Sequence, residues 1–244
     1  MRKEDKIRFL LLKEEPNYLK NILSCEKFLE ELFTNKNNRI YVAVSGGKDS
    51  MVMLDLTLRI WIKYPEICFF VWHWDYGKQL MPRKIEIETL TNIKQLLNRY
   101  NFPTENFLID KRSKEHSSRE DSSFGYKVFF LAIKQIIEKY GFTHSLIGLR
   151  KEESYERKLM LEKGLVHKRI ISSNKIIHDC YPLADFSSNH IWSYIVSNNI
   201  PYPSPYDFLA KFRPYETIRF VTFFDNEFNN IDQSDDFFFW REKQ

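Results

Sequence analysis

The chain has 244 residues, 43% of them apolar and 16% aromatic, enough for one large domain or one domain with an appendage. Its 37 basic residues against 33 acidic ones leave a net charge of +4, too small to imply nucleic acid by itself. Three scattered cysteines (Cys25, Cys68, Cys180) and six histidines without metal-ligand spacing exclude a disulfide scaffold and a structural zinc site, and fit a reducing compartment. The charge is unevenly spread. Residues 225–244 carry six acids and two bases, so the remaining 224 residues hold a net +8, and the basic body suits an anionic substrate. No apolar run approaches bilayer length, Ile67–Trp72 being the longest notable one, and Met1–Lys6 leads into too short an apolar patch for a signal peptide. The expectation is a soluble cytoplasmic protein without membrane contact.

The N-terminal stretch reads as helical to about Phe33. Pro16 restarts it as a first-turn proline, and Leu19, Ile22, Leu23, Phe28, Leu29 and Leu32 follow helical spacing. Asn35–Asn38 breaks the pattern. Ile40–Val44 is then a strand, Asp49–Tyr64 a helix ended by Pro65, and Ile67–Trp74 an apolar run of the kind buried on both faces of a sheet. Pro82–Tyr100 is helical, with Ile85, Leu90, Ile93, Leu96 and Leu97 on one stripe. Phe107–Ile109 is a short strand, Lys111–Ser123 a polar loop long enough to act as a lid (His116 lies on it), Tyr126–Tyr140 a helix stopped by Gly141, and His144–Gly148 a strand. This alternation implies α/β architecture: a parallel sheet with right-handed crossovers and helices on both faces.

After Arg150 the pattern changes. Ser154–Lys163 is a short helix, Val166–Ile171 and Lys175–Cys180 form a hairpin, and Ser187–Ser197 is a helix capped by Ser187 or Ser188. Pro201, Pro203 and Pro205 stiffen the next segment, and 206–224 reads as helical and aromatic-rich. The acidic end holds Phe237-Phe238-Phe239-Trp240, a cluster expected to dock on the body, on a second copy in a homodimer, or on a protein partner. The expected organisation is an N-terminal helical extension over 1–36, a nucleotide-binding domain over 37–207, and a C-terminal helical segment with its tail over 208–244.

The chemistry concentrates at Tyr41-Val42-Ala43-Val44-Ser45-Gly46-Gly47-Lys48-Asp49-Ser50. An apolar strand runs into two glycines, a lysine and a serine, and a helix follows. Backbone N–H groups at such a turn point outward and the helix dipole adds partial positive charge, so the loop is an anion cradle suited to nucleotide phosphates. It is no Walker A loop: aligned on Gly47-Lys48, the first glycine falls at Val42 and the Ser/Thr at Asp49. It is no dinucleotide fingerprint either, because G-x-G-x-x-G is absent. It resembles the Ser-Gly-Gly-x-Asp-Ser loop of the PP-loop ATP pyrophosphatases, which cut ATP between its α and β phosphates.

Two further strand ends are unusual: Trp74-Asp75-Tyr76-Gly77, and Gly148-Leu149-Arg150-Lys151-Glu152-Glu153-Ser154 with Arg157. Four of the seven glycines (Gly46, Gly47, Gly77, Gly148) fall at or just past these strand ends. A third motif is Tyr181-Pro182-Leu183-Ala184-Asp185-Phe186, leading to Ile191-Trp192-Ser193-Tyr194-Ile195 and Ile200-Pro201-Tyr202. Together the three motifs resemble the phosphoadenosine phosphosulfate reductase family, within the PP-loop and adenine nucleotide alpha hydrolase superfamily, over about residues 39–207. The resemblance implies a Rossmann-like sheet of five parallel strands, phosphates gripped by the loop, a nucleoside met by residues after the second strand, and an arginine after the fourth strand reaching the phosphates. The chain also departs from the family. Reductases use a cysteine in a C-terminal Glu-Cys-Gly-Leu-His motif, and this sequence has no cysteine after Cys180; paired cysteines for an iron–sulfur cluster are absent as well.

The roles follow. Lys48 is assigned to the β and γ phosphates and Arg150 to charge developing on the α phosphate, the two catalytic candidates. Ser45, Gly46, Gly47, Asp49 and Ser50 would bind phosphate, with Asp49 orienting Mg²⁺ or capping the helix. Asp75 lies near the ribose or forms an Asx turn; Trp74 stacks on adenine or packs in the sheet. Gly148 admits the ligand. Arg150 otherwise makes a surface ion pair with Glu153 or Glu156. Arg157, Lys168 and Arg169 form a second basic group that clamps an anionic substrate or is a solvated face. Cys180 carries persulfide sulfur or is a buried inert thiol. The expected activity is cleavage of ATP, with Mg²⁺, to adenylylate an unidentified second substrate. The alternatives are a non-catalytic adenine-nucleotide-binding partner in sulfur metabolism or nucleic-acid sulfur modification, and a phosphoadenylyl sulfate reductase using a thiol in trans.

Overall fold

In the computed structural model, which describes residues 1–75, 83–111, 122–173, 175–220 and 237–238, the strand–helix alternation builds one six-stranded sheet. Its strands are β1 (Arg39–Ala43), β2 (Cys68–Asp75), β3 (Phe107–Lys111), β4 (His144–Leu146), β5 (Val166–Ser172) and β6 (Lys175–Cys180), in the order β3-β2-β1-β4-β6-β5. Five of them run parallel, and β5 pairs antiparallel with β6 at one edge. The hairpin expected after Arg150 therefore belongs to the sheet: β6 supplies the fifth parallel strand and β5 a sixth, antiparallel one. The chain builds outward from β1 through β2 to β3, then returns to the other side of β1 at β4. Strand order reverses there, and adjacent loops must diverge, which opens a crevice beyond the carboxyl ends of β1 and β4.

The helices are α1 (Lys3–Leu11), α2 (Pro16–Thr34), α3 (Lys48–Trp61), α4 (Arg83–Arg99), α5 (Ser122–Tyr140), α6 (Tyr155–Glu162), α7 (Ser188–Ser197) and α8 (Pro205–Leu209). Pro16 stands in the first turn of α2, where its missing N–H costs nothing. Ser187 caps α7 by accepting the His190 N–H at 3.1 Å. Because side chains alternate along a strand, each face of the sheet has its own core. Ile40, Val42, Phe69, Val71 and Leu146 pack against α2, α3, α4 and α7; Tyr41, Trp72 and Trp74 pack against Ile133, Ile136 and Ile137 of α5. That double burial explains why β2 reads as continuously apolar. Phe9 of α1 lies in the first core beside Trp192 and Tyr215. Leu19 and Leu23, included in the expected stripe of α2, are exposed; Tyr18, Cys25, Leu29 and Phe33 are the buried set.

Three helical segments meet on one buried acid. Asp55 of α3 accepts from Tyr100 Oη at 2.7 Å, Tyr194 Oη at 2.6 Å and Arg59 Nε at 2.9 Å. The expected helix over 206–224 is replaced by the short α8, a 3-10 turn at Tyr215–Thr217, and a two-residue strand β7 (Arg219–Phe220) paired in parallel with β8 (Phe237–Phe238). Prolines on either side, Pro205 and Pro214, keep this segment in short pieces. Gly77, the lid loop with His116, and the tail apart from its two paired residues lie outside the described residues. Among the described residues no helix is long and apolar enough to cross a membrane.

Candidate functional site

β1 leaves the sheet at Val44 and turns through Gly46, whose φ of +82° lies in the left-handed region that favours glycine. A Cβ there would also meet Thr89 Cγ2 of α4 at 2.2 Å. The loop's serines hold it together. Ser45 Oγ accepts from the Gly47 N–H at 3.3 Å and lies 3.2 Å from Ser50 Oγ, which itself donates to the Gly47 carbonyl at 3.0 Å. The Lys48 N–H donates to Tyr206 Oη at 3.2 Å. The Gly46, Asp49 and Ser50 amides, at the N-terminus of α3, find no acceptor among the described residues.

Gly148 brings β4 against this turn. A Cβ at that position would lie 3.1 Å from the Asp49 carbonyl and 3.3 Å from the Ser50 nitrogen, a crowding that the loop backbone could relieve only by shifting a few tenths of an ångström. Arg150 follows, 2% exposed, and enters the loop from the side. Its Nε donates to Asp49 Oδ1 and its Nη1 to Glu152 Oε2 at 2.7 Å, while Glu153 Oε2 accepts from the Arg150 N–H at 2.9 Å and from Arg157 Nη1 at 2.7 Å. Lys48 Nζ takes the other oxygen of Asp49, at 3.0 Å. One carboxylate thus holds two buried cations. Arg150 is accordingly a buried strut between loop and strand end, with Asp49 and Glu152 as ion partners and Glu153 on its backbone.

Electrostatics follow from that geometry. Burial pushes the Lys48 ammonium below the usual lysine range, and Asp49 offsets only part of the effect. Burial acts to raise the Asp49 carboxyl, but Arg150 and Lys48 outweigh it and hold the pKa down at about 2. Arg150 is raised, its burial more than offset by Asp49, Glu153 and Glu152. A carboxyl depressed on folding stabilises fully above its unfolded pKa near 3.9 and loses that contribution as pH falls through the folded value. Denaturant titrations of the protein and of Asp49→Asn should therefore differ by about 2 kcal/mol more at pH 5 than at pH 2. A difference that does not change with pH would show that the carboxylate is not held by these cations.

Both Asp49 oxygens are engaged by cations, and among the described residues no three His, Cys, Asp or Glu side chains cluster as metal ligands. With both oxygens engaged in this way, a Mg²⁺ ion at Asp49 would have to displace Lys48 or Arg150.

Other expected residues are placed differently. Asp75 is buried and accepts from Arg83 Nη1 at 2.9 Å. Trp74 is buried against Trp72 and Phe129, packed in the sheet core and unavailable for stacking. Arg157, Lys168 and Arg169 do not form one basic group. Arg157 of α6 pairs with Glu153, Arg169 makes a bidentate pair with Asp179 at 2.6 and 2.8 Å, and Lys168, its neighbour in β5, faces the opposite side. Cys180 is fully buried and burial pushes its thiol up to about 12, the inert alternative. Sequence reasoning missed Tyr206, Glu86 and Thr89. The last two could have been found: Glu86, Thr89, Ile93, Leu96 and Leu97 share one helical stripe, buried throughout, whose site-proximal end is polar.

Residues 39–213 match the phosphoadenosine phosphosulfate reductase domain family. An uncharacterized protein of Methanocaldococcus jannaschii is 28% identical over 200 residues, covering 78% of this chain and 38% of its own. The chain spans about two fifths of the length of the curated relatives it matches. Among solved structures, the U34-tRNA thiolase NcsA of Methanococcus maripaludis with its 4Fe–4S cluster superposes with a TM-score of 0.56 at 14% identity, over 81% of this chain and 75% of that one. Candida glabrata FMN adenylyltransferase in complex with FAD and inorganic pyrophosphate superposes with a TM-score of 0.54 at 16% identity, over 83% of this chain and 66% of that one. These two likenesses establish the fold.

Proposed function

The chain belongs to the phosphoadenosine phosphosulfate reductase domain family, and from that premise we propose that it binds ATP at the β1–α3 loop and cleaves it between the α and β phosphates. An oxygen of the second substrate attacks the α phosphorus, the new O–P bond forms, the bond to the β-phosphate oxygen breaks, and pyrophosphate leaves. The observation that carries the reading is the meeting of Lys48 and Arg150, two buried cations, beside amides at the N-terminus of α3 that have no acceptor among the described residues. Asp49 neutralises them until phosphate oxygens take its place. Lys48 then bears on the β and γ phosphates, Arg150 on the α phosphate, and the Gly46, Asp49 and Ser50 amides on the chain between. Mg²⁺ enters as part of the nucleotide substrate.

The three thiols support no reductase chemistry of the chain's own. Cys25 and Cys180 are buried, and Cys68 begins β2, at the end of the sheet away from the loop. A second reading, a nucleotide-binding unit that works with other protein parts in sulfur metabolism or nucleic-acid sulfur modification, is favoured by one fact: the chain spans only about two fifths of its curated relatives. Calorimetry with ATP, adenylyl sulfate and phosphoadenylyl sulfate, followed by a pyrophosphate assay, separates the readings. ATP binding with pyrophosphate release is expected. Binding without release supports the second reading. No nucleotide binding at millimolar concentration removes both.

A further inference from the structure

The last ladder bond between β1 and β2 runs from the Val44 N–H to the Trp72 carbonyl at 2.8 Å. One group further on, the strands part to open the crevice, and the Val44 carbonyl is left without a ladder partner. A buried carbonyl in that position must find a donor. His73 supplies it, with Nδ1 2.7 Å from Val44 O. The other ring nitrogen, Nε2, lies 2.7 Å from Glu86 Oε1 of α4. Both residues are 1% exposed. A carbonyl oxygen can only accept, so Nδ1 carries the hydrogen. The second contact then shares one more proton, either as imidazolium with carboxylate or as imidazole accepting from a carboxylic acid. Both forms are neutral as a pair and fix the ring's orientation.

Glu86 Oε2 is buried and has no hydrogen-bond partner among the described residues. An apolar residue at this stripe position would avoid that cost, so packing alone does not account for glutamate here. One turn later on the same helix, Thr89 rests against Gly46. Helix α4 therefore touches the loop twice, through His73 at Val44 and directly at Gly46.

We infer that His73 and Glu86 are positioning residues for the nucleotide loop: His73 holds the carbonyl that precedes Ser45, and Glu86 locks the imidazole, so that α4 sets where the loop amides point. The role of these amides toward phosphate rests on the nucleotide-binding reading; the mechanical coupling does not.

Two variants isolate the Val44 bond. His73→Asn places an amide nitrogen close to where Nδ1 stands and keeps a donor to Val44 O. His73→Leu removes the donor. Both strand Glu86 equally, so the difference between them reports the loop contact alone. In ligand-free protein, amide hydrogen exchange at Gly47 and Lys48, the loop amides that hold acceptors, should be about tenfold faster in His73→Leu than in His73→Asn, with other elements exchanging alike. ATP should bind His73→Leu about tenfold more weakly than His73→Asn. Glu86→Leu, which keeps His73 but frees its ring, should speed exchange at Gly47 and Lys48 alone, and serves where His73→Leu does not fold. Equal exchange of the loop in His73→Asn and His73→Leu, or faster exchange spread over every element, overturns the inference. A loop effect in a protein that binds no ATP leaves the positioning intact and removes the nucleotide reading instead.

Discussion

Replacing Lys48 with methionine should lower pyrophosphate release by about 100- to 1000-fold while leaving the fold intact. The ammonium sits in the first turn of α3, buried, next to amides that have no acceptor among the described residues. A preorganised cation in such a place acts in low dielectric, where it stabilises developing phosphate charge far more than it would in water. Stability responds differently. Burial already disfavours the charged lysine, and Asp49 keeps Arg150 after the change. Methionine retains the aliphatic stem, so the melting temperature should move by no more than a few degrees. Steady-state pyrophosphate release and a thermal melt on the same preparation read both quantities. Turnover within threefold of the unaltered protein would remove Lys48 from the reaction; a large loss of melting temperature would make it structural.

Asp55→Ala should be the most destabilising single change outside the site, at about 3–5 kcal/mol, or a fall in melting temperature of roughly 10 °C for a chain of this size. Asp55 is fully buried, and its two oxygens accept from Tyr100, Tyr194 and Arg59. These donors come from α3, the residue just past α4, and α7, so the carboxylate ties three helical segments together over one face of the sheet. Burial raises both tyrosines, and the Asp55 charge raises them further, Tyr100 to about 12. They stay protonated and donate at any ordinary pH. Without the acid, Tyr194 keeps a buried hydroxyl with no acceptor, the costly half of a broken hydrogen bond. Asp55→Asn retains one acceptor and should lose about half as much. Equal stability of Asp55→Ala and the unaltered protein would mean that water or a rotated tyrosine replaces the carboxylate.

The residues of the loop are legible in the sequence because they are consecutive. Strand, glycine turn and helix start are local events, and Ser45–Ser50 carries all three signals within six positions. Gly148 and Arg150 are legible for a related reason: a glycine and a cation just past a predicted strand end point to the crevice of a parallel sheet. The grouping of Arg157, Lys168 and Arg169 fails because nearness in sequence is not a shared face. Adjacent residues of a strand point to opposite sides, and an acid from the neighbouring strand, Asp179, claims one of them. Trp74 shows the same limit, since its alternation with His73 defines two faces but not which of them is open. The hairpin is legible from its turn, yet nothing local reveals that its second strand runs parallel beside β4.

What the amino-acid order alone determined was the class of fold, the strand–glycine–helix turn and the family likeness, all written in short-range periodicity and contiguous motifs. Tertiary structure alone decided that Asp49 holds Lys48 and Arg150 together, that Tyr206 reaches the Lys48 amide from 158 residues away, and that His73 and Glu86 brace the Val44 carbonyl. Those contacts join segments distant in the chain. They form only once burial has removed water as a competing partner, and that selection among partners leaves no periodic trace in the sequence.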